Sequence, residues 1–385
     1  MIVIKNGKIF TMKGEVFQKG SILIEEGKIK AIGENIVIPE GAEIIDAEGK
    51  LIMPGFVEAH CHLGLKEDSL GFEGTDHNES IEPITPHLRG IDSINPMDVT
   101  FEEAYAAGVT SAAVGPGSAN VIGGQFAAIK TYGDRIDDMI IKEPIAMKCA
   151  FGENPKSVYN GKGKSPKTRM AIAALLRETL FKAQEYCRKL ELAKEDPSKA
   201  PSFDMKMEAM QPVMRGEIPL KVHAHRADDI FTAIRVAKEF GVRITLDHCT
   251  EGKLIVEHLK KEELPVIVGP SFGSRSKVEL KHKGFDTVGV LSKAGIKVAI
   301  TTDSPVVPLQ YLPLCAALAV KEGMEEEEAL KAITINAAEI LGIEDRVGSL
   351  EVGKDADIVI WNGHPFDLRG TVEYTLIDGK VIYKR

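Results

Sequence analysis

Several histidines and one aspartate follow apolar, strand-like runs of this sequence, a pattern that suits metal chemistry. His60 and His62 stand two residues apart, and His223, His248 and Asp303 lie at the ends of later runs. Because alternate residues of a strand point to the same side, His60 and His62 can bind one ion together. Imidazole nitrogen combined with carboxylate oxygen suits Zn²⁺ in the first place, and Mn²⁺, Co²⁺, Ni²⁺ or Fe²⁺ in the second. These five residues therefore predict a divalent-metal site.

The elements that would position these residues form a repeating pattern between residues 51 and 347. Apolar runs occupy residues 51–59, 109–115, 144–151, 220–224, 242–247, 265–270 and 297–302, and helical periodicity occurs at 166–194, 227–240, 254–261 and 286–294. Strands that are buried on both faces and joined by helices form a parallel sheet. Seven or eight such units predict a closed (β/α)8 barrel of the TIM type, with the metal-site residues at the mouth formed by the C-terminal strand ends.

Both ends of the chain have a different sequence pattern from the middle. Residues 1–50 and 348–385 contain short apolar runs separated by turns, and Asp378-Gly379 predicts a hairpin. Neither end alone can bury the face of a sheet, whereas chain termini commonly meet within one domain. The sequence therefore predicts an α/β protein in which residues 1–50 and 348–385 build a small β-sandwich domain beside a barrel domain of residues 51–347.

Two motifs resemble signatures of the amidohydrolase superfamily. Residues 54–62, Pro-Gly-Phe-Val-Glu-Ala-His-Cys-His, resemble its P-G-[FL]-[IV]-[DN]-x-H-x-H pattern, with Glu58 where Asp or Asn is usual. Residues 347–359 resemble its return strand, G-x-[IL]-x-x-G-x-x-A-D-[IL]-[VI]. The resemblance spans the whole chain and is nearest to the dipeptidase and imidazolonepropionase-like branches.

This resemblance implies a role for each predicted ligand. His60 and His62 would bind metal from strand one, His223 from strand five, His248 from strand six and Asp303 from strand eight. A bound cation lowers the pKa of water from 15.7 toward about 7. Asp303 would accept the proton of that water and then pass it to the leaving amine, acting first as base and later as acid.

The number of metal ions depends on a further anionic ligand. Superfamily members with two ions bridge them with a carboxylated lysine on strand four or use a glutamate near strand three. Lys148 lies inside an apolar run and Glu153 at the C-terminal tip of that run. Since metal ligands belong at the tip, Glu153 is the predicted ligand and Lys148 the alternative.

Two residues beside His223 are predicted to act on the substrate. His225 faces the same side as His223, so it would contact the substrate or make a second metal contact, and Arg226 could pair with a substrate carboxylate. Either could stabilise an oxyanion. Aminohydrolases of the superfamily carry a glutamate where this chain has Arg226. We therefore expect hydrolysis of an amide, peptide or cyclic amide.

Other functions remain as alternatives. One is a cyclic amidine or imidazolone hydrolase, or an aminohydrolase, of the same superfamily. Another is an inactive binding or assembly protein on the same fold, but such proteins usually lack several ligands and this chain keeps all five. Function within a fold must be argued from the site, so these alternatives call for a substrate screen.

Composition limits the partners and the compartment. The net charge of −9 argues against nucleic-acid binding, because phosphate recognition needs clustered lysine and arginine. No run approaches the roughly 18 apolar residues of a membrane span, and the first residues are typical of a strand. The five cysteines are scattered, as in a reducing cytoplasm. We expect a cytoplasmic homo-oligomer with a small-molecule substrate.

Overall fold

The computed structural model describes residues 1–68 and 70–385, which form two β-sheets and surrounding helices. The strands are β1 (Ile2–Phe10), β2 (Val16–Glu25), β3 (Lys28–Gly33), β4 (Glu43–Asp46), β5 (Leu51–Pro54), β6 (Phe56–Cys61), β7 (Val109–Val114), β8 (Ile122–Lys130), β9 (Ile140–Ala150), β10 (Leu220–Ala224), β11 (Ile244–His248), β12 (Val266–Val268), β13 (Val298–Ile300), β14 (Ile358–Asn362), β15 (Thr371–Ile377) and β16 (Lys380–Lys384). The α-helices are α1 (Val99–Ala106), α2 (Ile136–Met139), α3 (Glu153–Gly161), α4 (Arg169–Glu195), α5 (Met205–Met214), α6 (Ala227–Phe240), α7 (Val256–Glu262), α8 (Asp286–Lys293), α9 (Leu312–Lys321), α10 (Glu326–Ala332) and α11 (Ile335–Leu341).

The central sheet is a barrel of eight strands that runs in order from β6 to β13. Strands β9 to β13 pair in parallel, as do β6 and β7. The first and last strands meet beyond their ends, where the His62 N–H donates to the Ser304 carbonyl at 2.8 Å and the Thr301 hydroxyl donates to the His60 carbonyl at 2.6 Å. The predicted TIM-like α/β fold is confirmed, and its mouth carries the ends of β6, β10, β11 and β13.

Strand β8 departs from the expected all-parallel pattern. It pairs antiparallel with both β7 and β9. The connection from β7, residues 115–121, is far shorter than the crossover of a dozen or more residues that parallel neighbours need. The sequence prediction missed β8 because Gly123 and Gly124 interrupt its apolar pattern. Gly124 has a φ of +133°, and a Cβ there would lie 2.5 Å from the Leu88 carbonyl oxygen, so close packing requires this glycine.

The two ends of the chain come together in one sheet that is separate from the barrel, where the sequence predicted a small β-sandwich from the same two segments. Its strands follow one hydrogen-bonded path, β16-β15-β14-β5-β1-β2-β3, with β4 paired to β1. Aliphatic residues such as Ile4, Ile22 and Ile358 form a core that belongs to this sheet. Strand β5 lies in this sheet although its residues were assigned to the barrel. The division into two domains at these boundaries stays a prediction.

A buried lysine connects the barrel to this second sheet. Lys130, at the end of β8, places its Nζ 2.9 Å from Asp355, 2.7 Å from Asp357 and 3.2 Å from Asp378. The side chain of Arg346 also bonds to Asp355, at 2.7 Å. The network fixes the return segment, where the second family-like motif lies, against the barrel. Within the described ranges, no helix has the length and apolar character needed to cross a bilayer.

Candidate metal centre

One group of possible ligands joins β6 to the segment after β13. The Nε2 atoms of His60 and His62 lie 3.4 and 3.3 Å from Oδ1 of Asp303. The alternate spacing on β6 turns both histidines to one side, as the sequence predicted. Three ligand atoms from distant parts of the chain thus converge within 4.8 Å of one another.

A second group lies on β10 and β11. His223, His225 and His248 also bring their ring nitrogens within 4.8 Å of one another. Their ring centroids are 4.4 Å apart for His223 and His248, 4.7 Å for His223 and His225, and 4.9 Å for His225 and His248. The structure therefore groups His225 with the two predicted ligands beside it, a position that suits a metal contact.

Most of these histidines present Nε2 to the centre because Nδ1 is used elsewhere. Four Nδ1 atoms have oxygen partners: His60 with Asp247 at 2.6 Å, His62 with the Gly115 carbonyl at 2.7 Å, His225 with the Thr250 hydroxyl at 2.7 Å, and His248 with the Gly269 carbonyl at 2.6 Å. Where Nδ1 carries the proton, the lone pair is on Nε2, and such partners orient metal-binding imidazoles.

Burial favours the neutral form of the imidazoles in the second group, which metal binding requires. It lowers the pKa of His223 and of His248 well below the usual value, and it lowers the pKa of His225 to about 4. Removal from water disfavours the charged form of each ring. No proton therefore has to be displaced near neutral pH before these nitrogens can bind a cation.

Two of the candidate ligands occupy strained backbone. His248 has a φ of +71° and Asp303 a φ of +53°, both in the left-handed region. Such conformations in non-glycine residues cost on the order of 1 kcal/mol or more, and they cluster at functional sites. Here each occurs where a strand ends and the side chain turns into the mouth.

Glu58 ties the ligand-bearing strand β6 to the segment that carries Asp303. One carboxylate oxygen accepts the His60 N–H at 2.9 Å, and the other accepts the Thr302 N–H at 2.9 Å and the Thr302 hydroxyl at 2.7 Å. Burial raises the pKa of Glu58 to about 6. The longer side chain, where the superfamily pattern has Asp or Asn, thus spans the barrel closure.

Lys148 lies at the base of the site. Its Nζ is 3.3 Å from Nε2 of His60, and its side chain is fully buried. Burial lowers the pKa of Lys148 to about 8, so the neutral amine becomes accessible near physiological pH. The neighbouring Lys221 ammonium instead pairs with Asp247 at 3.2 Å.

The structure does not bring Glu153 or Arg226 into these groups. Glu153 begins helix α3, and its backbone N–H donates to Glu279 at 3.0 Å. The Arg226 guanidinium donates to both oxygens of Asp228, at 2.9 and 2.8 Å. Neither residue lines the cavity over the histidines, as far as the described residues show.

That cavity has a volume of about 460 Å³ and opens above both histidine groups. Lys66, His77 and Asn78 line it from the segment between β6 and α1, and Ser118 lines it from the connection between β7 and β8. Asn154, Lys277 and Lys283 also line it, and sequence reasoning missed all three. Asn154 lies at the start of α3, and Lys277 and Lys283 lie in the loop after β12. In neither place does an alternating strand pattern predict where a side chain points.

The residues present fit a divalent cation. Oδ1 of Asp303, Nδ1 of His223 and Oε1 of Glu279 are buried without a hydrogen-bond partner in the described residues. Unpaired buried polar atoms are costly, and a cation would satisfy the two carboxylate oxygens. Five imidazoles and a carboxylate form a donor set that suits zinc and similar ions.

Comparison with known proteins assigns the family. The sequence model of the amidohydrolase family matches residues 51–382, so this chain belongs to the amidohydrolase family. A solved amidohydrolase from Thermotoga maritima MSB8 is 44% identical, with a TM-score of 0.97 and full coverage of both chains. Amidohydrolase tasK of Hapsidospora irregularis is 29% identical over 94% of this chain, which spans 39% of that protein. A dihydroorotase of Acetivibrio thermocellus is 26% identical, with 100% of this chain and 99% of that protein covered.

The predicted superfamily is thus confirmed. The family and its relatives imply a hydrolase that acts on C–N bonds. The family is metal-dependent, and the clustered histidines could hold a metal ion.

Proposed function

We propose that this chain hydrolyses a C–N bond in a small amide, dipeptide or cyclic amide at a divalent-metal centre, with zinc as the preferred ion. The observation that carries the proposal is the convergence of His60, His62 and Asp303 opposite His223 and His248 at the barrel mouth. Such a mouth is where TIM barrels carry their active sites.

Each residue then has a defined task. A divalent ion held by these residues would polarise the scissile carbonyl and lower the pKa of water. Asp303 accepts the proton of the attacking water with its buried carboxylate and returns it to the leaving nitrogen. His225, whose Nδ1 is held by Thr250, stays available as a metal contact or as a partner of the carbonyl oxygen.

Lys148 and Glu153 are the two candidates for the anionic ligand between two ions. The 3.3 Å separation of Lys148 Nζ from His60 Nε2 favours a carboxylated Lys148, because a carbamate there would reach the ion beside His60. Glu153 remains the rival ligand, but its carboxylate belongs to neither group of converging atoms. We therefore propose that each group would hold one ion and that a carboxylated Lys148 would supply the ligand between them.

The cavity supports a substrate with an anionic group. Lys66, Lys277 and Lys283 line its wall, although the chain as a whole carries a net charge of −9. A concentrated positive patch in a cleft attracts and orients anions. Arg226 was the predicted carboxylate partner, but Lys277 is better placed because it lines the cavity. Relatives named as a 5'-deoxyadenosine deaminase and imidazolonepropionases keep deamination and imidazolone hydrolysis as alternatives.

A substrate screen with metal control tests the proposal. Enzyme loaded with Zn²⁺, Mn²⁺ or Co²⁺ is assayed against N-acyl amino acids, dipeptides and cyclic ureides, with aromatic amines as the competing class. We expect turnover of a carboxylate-bearing amide that disappears in the His60→Ala/His62→Ala variant together with bound metal. Deamination of an aromatic amine without amide hydrolysis would refute the proposed reaction, and unchanged turnover in the double variant would refute the site. We also propose a cytoplasmic homo-oligomer, to be checked by fractionation and light scattering.

A further inference from the structure

Glu279 is a buried carboxylate that neither the sequence motifs nor the proposed mechanism uses. It lies in the 3-10 turn Val278–Leu280, in the loop between β12 and α8, and its residue exposure is 1%. Oε2 accepts the Glu153 N–H at 3.0 Å. Oε1 has no hydrogen-bond partner in the described part of the chain, so half of this carboxylate is removed from water without compensation by a hydrogen bond.

The unpartnered oxygen faces the second histidine group. Oε1 lies 3.9 Å from Nε2 of His223 and 3.8 Å from Nε2 of His225. These separations are too long for hydrogen bonds. They are short enough for a shared ion, because zinc bonds of about 2.0–2.1 Å to nitrogen and 2.0–2.2 Å to oxygen allow at most about 4.3 Å between the two ligand atoms.

Other partners for this oxygen are less suitable. The Lys277 ammonium is 3.8 Å away, beyond hydrogen-bond distance, and it already donates to the Asn154 side chain. A substrate in the cavity would meet Lys277 and Leu280 on either side of Glu279, but Glu279 itself is absent from the described cavity wall. The carboxylate therefore points at the histidines from beneath the surface that a substrate would touch.

We propose that Glu279 is a protein ligand of the ion at His223, His225 and His248. This inference rests on the proposed function in one respect, namely that the centre binds metal. Together with the carboxylated Lys148 proposed above, Glu279 and the three histidines would leave this ion without the open position that a catalytic ion keeps for water. The reacting water would then be bound at His60, His62 and Asp303, and an ion held by Glu279 and the three histidines would connect β10, β11 and the loop after β12.

Metal content measured on the full-length protein tests this assignment. Wild type, Glu279→Gln, Glu279→Asp and Glu153→Gln are loaded with Zn²⁺ and dialysed against graded chelator, and bound zinc per chain is determined. We expect Glu279→Gln to weaken the binding of one of two ions by more than the roughly 10–100-fold that loss of an outer-shell partner costs. Glu279→Asp should weaken it less, and Glu153→Gln should keep both ions. Substitution with Co²⁺ should give a visible spectrum in wild type that changes in Glu279→Gln.

The outcomes separate this inference from the proposed function. Wild-type binding of both ions by Glu279→Gln would overturn the ligand role, and loss of turnover in that same variant would assign Glu279 to proton transfer instead. Loss of an ion in Glu153→Gln alone would assign the ligand to Glu153. If wild type itself binds no zinc, the proposed metal centre fails, independently of Glu279. Circular dichroism shows whether each variant is folded. If Glu279→Gln does not fold, the zinc content of Glu279→Asp tests the ligand role instead.

Discussion

The Nζ atom of Lys148 lies 3.3 Å from the Nε2 atom of His60, with both side chains fully buried. Burial lowers the pKa of Lys148 to about 8, so a substantial neutral fraction can react with carbon dioxide to form a carbamate. We expect Lys148→Ala to lose one bound ion and to lower turnover by more than the roughly 100-fold that marks the upper end for loss of an outer-shell partner. Bound metal per chain and a ¹³C carbamate signal after exposure to labelled bicarbonate provide the measurements.

Lys142 gives a matched control for this substitution. It lies on the same strand, β9, but its ammonium donates to the Gly342 carbonyl at an exposed position. Lys142→Ala should keep both ions and full turnover. A full complement of metal in Lys148→Ala, or a carbamate signal that persists in it, would rule out this role of Lys148.

Asp247 is predicted to support the centre without binding metal. Oδ2 accepts from His60 Nδ1 at 2.6 Å and lies 3.2 Å from the buried Lys221 ammonium. Asp247→Asn should weaken the ion beside His60 by about 10–100-fold. It should also lower the free energy of unfolding by about 3 kcal/mol, because Lys221 loses its buried counter-charge. Chelator titration and denaturant unfolding measure the two effects.

A double variant separates these two effects. In Asp247→Asn/Lys221→Met, the unpaired ammonium is gone, so the stability should recover while the metal affinity stays low. If metal affinity recovers together with stability, Asp247 acts through folding alone and does not orient His60.

Most of the fold could be predicted because buried strands and helices leave strong sequence patterns. Helix α6 spans the predicted residues 227–240, and β10 spans the predicted residues 220–224. Strand β8 was not predicted because its two adjacent glycines, Gly123 and Gly124, interrupt the apolar pattern and are typical of a loop. In the structure these glycines serve close backbone packing. The antiparallel direction of β8 follows from a short connection, a feature that only the location of both strands reveals.

Candidate site residues could be predicted from the sequence where they lie at strand ends and could not where they lie in loops. The five predicted residues lie in or shortly after strands whose direction the barrel fixes, and the structure brings them into two neighbouring groups: His60, His62, His223, His248 and Asp303. Glu279 and Lys277 lie beyond β12 in a long loop, so sequence spacing says nothing of their direction. Arg226 was assigned to substrate because it follows His225, but Asp228 lies two residues further on and pairs with its guanidinium.

Substitutions of Lys277 and Arg226 should have different effects on the KM for a carboxylate-bearing substrate. Lys277 lines the cavity, whereas the Arg226 guanidinium is held by Asp228. Losing a charge-assisted hydrogen bond of about 1.5 kcal/mol raises KM roughly tenfold. We expect that effect for Lys277→Met with a carboxylate-bearing amide, and less than a twofold effect for Arg226→Met. The corresponding substrate without a carboxylate should show no difference. A selective effect of Arg226→Met would restore the original assignment.

The Asp355 network should make stability depend on pH in the acidic range. Burial alone would raise the pKa of Asp355, but Lys130, Arg346 and Lys28 together lower it to about 2. Because an aspartate in an unfolded chain titrates near about 3.9, ionised Asp355 stabilises the folded protein above about pH 4. That contribution is lost as pH falls through 4 toward 2, and it should decrease by about 1 kcal/mol between pH 6 and pH 3.

Urea unfolding of metal-free protein at both pH values measures this contribution. The difference in unfolding free energy between wild type and Asp355→Asn should be larger at pH 6 than at pH 3, because only wild type loses the ionised Asp355. Asp134→Asn, at an exposed position, serves as the control and should show the same difference from wild type at both pH values. A difference for Asp355→Asn that stays constant from pH 6 to pH 3 would mean that Asp355 titrates alike in the folded and unfolded chains. The attraction between Lys130 and this carboxylate would then contribute nothing to the attachment of the return segment to the barrel.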